Sequence, residues 1–188
     1  MLIIDNLEDY KKYGITLNWE IILYGLENNF LDYSFVEIYI FDKLENQSKI
    51  LESEMNLLLD LIDNKKIHVT ETLNMDLCKR LTIYSTKSKE QKIISKHIFQ
   101  YICLNNVLEK YNLVNNFNKL DYDGLYSELS QIWSDFNYDI ELNEFCDTYW
   151  IENFKDLSEK ENCCQWLYNL VKDYLLKLSK KYNWIFNH

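Results

Sequence analysis

Apolar residues recur at steps of three and four along most of this chain, the spacing that gathers side chains onto one face of an α-helix. Trp19, Ile22, Leu23, Leu26 and Phe30 form one such stripe, and Tyr33, Val36, Ile40, Phe41 and Leu44 form the next. Leu51, Met55, Leu58, Leu59 and Ile62 make a third. A helix over Thr72–Tyr84 has a weaker pattern, and the β-branched residues of 67–72 fit a short extended segment instead. Ser88 with Gln91 has the form of a capping box, opening a long helix with Ile94, Ile98, Tyr101, Leu108 and Tyr111 on one side.

Asparagines at 112, 115, 116 and 118 end that helix in a loop. Leu125, Leu129, Ile132, Trp133 and Phe136 then mark a shorter amphipathic helix, followed by a segment from Ile140 to Trp150. A second capping box, Ser158 with Glu161, opens a helix that turns Trp166, Leu167, Leu170, Val171, Tyr174, Leu175 and Leu178 inward. Lys177, Lys180 and Lys181 complement its C-terminal dipole. The chain has no proline and only three scattered glycines, so it lacks the turn chemistry of closely spaced hairpins. The pattern predicts an all-α fold, an antiparallel array or bundle of about eight helices in one domain, with a subdomain boundary near 112–120.

Composition narrows the classes. A chain of 188 residues with 47% hydrophobic residues can bury a sizeable core. No apolar run approaches the ~18 residues of a membrane span, and Met1–Asp5 leads into Glu8 and Asp9 without the charged and apolar regions of a secretion signal. Five cysteines without C-x-x-C spacing read as reduced thiols of a cytoplasmic protein. The glycines assemble no phosphate-binding loop. His97 and His188 have no ligand type at i+3 or i+4 and His68 has only Glu71 at i+3, short of the ligand set of a known motif, so neither metal site nor cofactor is expected. Lys119–Gly124 places Asp121 and Asp123 as a calcium loop would, but Lys119 and Ser130 stand where a carboxylate and a bidentate glutamate are required. Fifteen tyrosines and five tryptophans would suit base stacking only beside a basic groove, and the net charge is −10, which argues against nucleic acid. The lysine-rich stretch from Lys65 to Lys96 reads as a solvated face.

The placement of the negative charge changes the picture most. Asp121–Glu161 holds twelve acidic residues against two lysines, whereas the rest of the chain balances eighteen against eighteen. One use of such a face is solubility. Another is contact with a basic protein partner, because concentrated charge steers encounter and aromatic side chains beside it supply anchors. The residues that point to this contact are Asp121, Asp123, Glu128, Trp133, Asp135, Asp139, Glu141, Glu144, Asp147 and Trp150. Charge reversal at Asp139, Glu141 and Glu144 is expected to slow association. Two other classes fit the chain: a metal-dependent hydrolase or transferase with carboxylates from separate helices, and a structural or regulatory scaffold.

The stretch from Leu17 to Leu31, LNWEIILYGLENNFL, resembles the opening helix and turn of a family of uncharacterised bacterial proteins. Members of that family look like immunity proteins encoded beside polymorphic toxins. The resemblance implies a non-enzymatic protein that neutralises a toxin, and it carries no site residues.

Overall fold

A computed structural model describes residues 4, 6–46, 49–64, 78–85, 88–112, 122–146 and 157–183. The fold is all-α, with no strand among the described residues. The helices are α1 (Leu7–Lys12), α2 (Trp19–Glu27), α3 (Ser34–Glu45), α4 (Glu52–Asn64), α5 (Lys89–Asn112), α6 (Tyr122–Asp135), α7 (Asn143–Cys146) and α8 (Leu157–Lys181). Short 3-10 turns occupy Thr82–Tyr84 and Ile140–Leu142. No helix among the described residues is long and apolar enough to cross a membrane. The extended segment considered at 67–72 lies outside the described residues, as does the loop at 113–120. The chain forms two compact units, which divide between Lys96 and His97 within α5.

In the N-terminal unit the ends of the helices follow from local chemistry. Asn18 opens α2 by accepting the Ile21 N–H at 3.0 Å, and Asn6 accepts the Glu8 N–H to open α1. Each helix closes on a residue in the left-handed region. After α1 it is Gly14 (φ 65°), with Ile15 N–H bonded back to Tyr10 O; after α2 it is Asn29 (φ 58°), with Phe30 N–H bonded to Gly25 O. The core gathers Tyr10, Ile22, Leu26, Phe30, Phe35 and Ile40, with Leu57, Leu58 and Leu61 of α4 also buried.

The buried faces of α3 and α4 match the predicted stripes only in part, at Val36, Ile40 and Leu58. Phe41, Leu44, Leu51, Leu59 and Ile62 are exposed. The buried positions are Phe35, Val36, Glu37, Tyr39 and Ile40 on α3, and Glu54, Leu57, Leu58 and Leu61 on α4. Both sets follow helical spacing, so periodicity permits either. The buried face of α4 includes Glu54, 1% exposed, whose carboxylate receives the Trp19 indole N–H (2.6 Å), the Lys43 ammonium (2.6 Å) and the Leu51 backbone N–H (2.8 Å). Burial alone would raise the pKa of Glu54. The hydrogen bonds from Lys43, Leu51 and Trp19 outweigh it and hold the carboxyl below its ordinary value. Burial, together with Glu54 and Asp42, pushes the neighbouring Tyr39 phenol up to about 12.

In the C-terminal unit, α5 from His97 onward is buried on a broad face that includes Ile98, Phe99, Ile102, Leu104 and Val107. Upstream, α5 opens after Ser88, the residue expected there, whose Oγ accepts the Glu90 N–H and not, as a capping box would have it, that of Gln91. On α8 the buried line is Leu167, Val171, Leu175, Leu178 and then Tyr182. Trp166, expected inward, is exposed, because it lies about 100° around the helix from that line. The side chains of Ser158 and Glu161 lie outside the described residues. Burial pushes the Cys103 thiol far up, so this cysteine is a small core residue and not a nucleophile.

Candidate functional site

The acidic residues singled out in the sequence converge in part on the turn that follows α6. That helix ends in a Schellman arrangement, with Asn137 N–H bonded to Ser134 O and Tyr138 N–H to Trp133 O at 2.8 Å. Asn137 (φ 55°) takes the left-handed conformation, as the motif requires. Tyr138 takes it too (φ 57°), a costly state for an aromatic residue. The Trp133 ring meets the Tyr138 ring edge to face at 5.1 Å, and its indole N–H donates to Asp139 O at 3.1 Å.

Asp139 then caps the 3-10 turn, Oδ1 accepting the Glu141 N–H at 3.2 Å. Its other oxygen receives the Gln100 amide at 2.8 Å, and Gln100 Oε1 accepts the Tyr174 hydroxyl at 2.8 Å. Two residues on, Glu141 Oε2 lies 2.6 Å from His97 Nε2, and His97 Nδ1 lies 2.7 Å from the Tyr182 hydroxyl. A neutral ring protonated at Nε2 satisfies both contacts, donating to the carboxylate and accepting from the phenol. Gln100 and His97 are 0% and 2% exposed. A carboxylate on the turn is thus linked through each of them to a tyrosine of the α8 region. Such a network, satisfied at both ends, rigidifies the loop that it holds.

Trp133, Asp139 and Glu141 are therefore brought together. Glu128 is not with them: it takes the ammonium of Lys110 and the Tyr111 hydroxyl, the latter at 3.1 Å. Those partners lie about ten residues farther along α5 than Gln100, roughly 15 Å in helical rise. Asp135 accepts the Gln131 side-chain amide on its own helix. Asp123 and Glu144 are exposed, on α6 and α7. Asp121, Asp147 and Trp150 lie outside the described residues. Among the described residues, no group of three or more His, Cys, Asp and Glu is placed to hold a metal ion.

Sequence reasoning missed His97, Gln100, Tyr174 and Tyr182. The partners of His97 are 44 and 85 residues away, so local spacing could not pair them. One signal was present: His97 and Gln100 stand at i and i+3 on a helix whose surrounding positions are apolar.

A family model described as "Uncharacterized protein conserved in bacteria (DUF2247)" matches residues 7–179. The chain belongs to this bacterial family. No curated protein and no solved structure matches it.

Proposed function

We propose that this member of the family is a non-enzymatic binding protein that neutralises a basic bacterial toxin through the acidic, aromatic-rich surface of its C-terminal unit. The observation that carries the reading is the confinement of the whole net charge of −10 to residues 121–161. A field of one sign raises the encounter rate with a cationic partner by about 10- to 1,000-fold at low salt. Many toxins of such systems are nucleases with cationic clefts, which an acidic surface would complement.

The geometry changes which residues test this. Asp139 and Glu141 bond inward to α5, so replacing them disturbs the fold of the turn as well as the field. Asp123 and Glu144 are exposed and report on the field. The protein is co-expressed with the product of the adjacent gene, and growth and association kinetics are followed. Protection is expected, with the Asp123→Lys/Glu144→Lys chain associating about tenfold more slowly at low salt and showing a flatter salt dependence. Absence of protection, or kinetics untouched by the double reversal, would remove the proposal.

A further inference from the structure

Residues 138–141 alternate in what they do. Asp139 and Glu141 bond to α5, whereas Tyr138 and Ile140 are 64% and 85% exposed. An isoleucine so exposed gains almost nothing for the fold. The tyrosine sits in a left-handed conformation that glycine or asparagine would take more readily. Both side chains nevertheless ride on a turn held from two sides by buried groups, and the Tyr138 ring rests against the edge of Trp133. They are presented in a set geometry, so docking on them costs less ordering than docking on a loose loop.

We propose that Tyr138 and Ile140 form the apolar anchor on which this unit docks to a basic protein. This rests on the binding reading above and names the point of contact within it. The occupant is identified by charge complementarity. Asp135 precedes the pair on α6 and Glu144 follows it on α7, with only acidic charge between them, so the partner presents Lys and Arg around an apolar recess. An exposed aromatic paired with an aliphatic, set within matched charge, is the composition of an interface hot spot, where a few side chains carry most of the affinity. The carboxylates then govern how fast partners meet, and the anchor governs how long they stay.

The test uses the full chain and two synthetic probes of equal positive charge, a lysine–leucine peptide and a lysine–serine peptide, with binding followed by amide NMR shifts at low and moderate salt. The native chain is expected to bind the leucine peptide at least about fivefold more tightly, with the largest shifts at 137–142. Tyr138→Ala/Ile140→Ala should erase that preference and keep the salt dependence. Ile140→Ser alone should reduce it, which guards against a misfolded double variant. Equal binding of the two peptides to the native chain, or a preference that survives in the variants, overturns the anchor. If both peptides bind equally with a steep salt dependence, the acidic-surface reading stands without the anchor. If neither binds at low salt, both fall.

Discussion

Two regions of this molecule use carboxylates as ties, and they do so differently. In the N-terminal unit Glu54 is buried against a cation, Lys43, and its charge is cancelled where it stands. In the C-terminal unit Asp139 and Glu141 are held by an amide and an imidazole, from Gln100 and His97. A neutral amide fixes the position of a carboxylate without cancelling its charge. Glu54 is thus neutralised where it stands, whereas Asp139 keeps its negative charge in a set place on the turn. An acidic residue's partner, more than its own type, thus decides whether it contributes to the core or to the field.

Glu54 is where substitution should cost most. Glu54→Ala leaves Lys43, the Trp19 indole and the Leu51 N–H without their acceptor, and should cost about 3 kcal/mol in urea unfolding. A loss under about 1 kcal/mol would show that the node is dispensable. Its pH dependence has a definite sign. The folded pKa of Glu54 lies below the unfolded value of about 4.3, so its stabilisation is complete above that value and is lost as the pH falls through the depressed folded pKa. Glu54→Gln should flatten the acid limb of the stability profile in that window.

Next comes the brace. Gln100→Ala removes a buried amide that serves Asp139 and Tyr174 together, and should cost about 2 kcal/mol, with faster hydrogen exchange at 138–142. Exchange unchanged in that segment would refute the assignment of Gln100 as its tie.

The smallest effect is expected at Tyr138. Tyr138→Gly relieves the left-handed strain and forfeits the ring contact with Trp133, so the midpoint of thermal unfolding should stay level or rise by the equivalent of about 0.5 kcal/mol. A clear fall would mean that the ring is held for the fold and not for a partner.

Much of this was open to sequence reasoning. The Ser88 start of α5, the stripe of α2 and the inward line of α8 were readable because each is set by residues within one or two turns. The flank of α4 that turns inward was not. Leu58 was expected inward and is, but Leu51–Leu59–Ile62 on one side of it and Leu57–Leu61 on the other are both apolar, and Glu54 looks like a surface residue until Trp19 and Lys43 arrive beside it. The acidic and aromatic segment was visible as a charge imbalance, but its division was hidden: Trp133, Asp139 and Glu141 gather at one turn, while Glu128 bonds elsewhere along α5.

Local spacing and counting were enough to establish that the protein is all-α, where α5 begins and that its net charge lies in one segment. Packing sets His97 and Gln100 against the acidic turn and leaves Tyr138 and Ile140 outward. Those outcomes depend on contacts between residues 39 to 85 positions apart, which only packing brings within hydrogen-bonding distance.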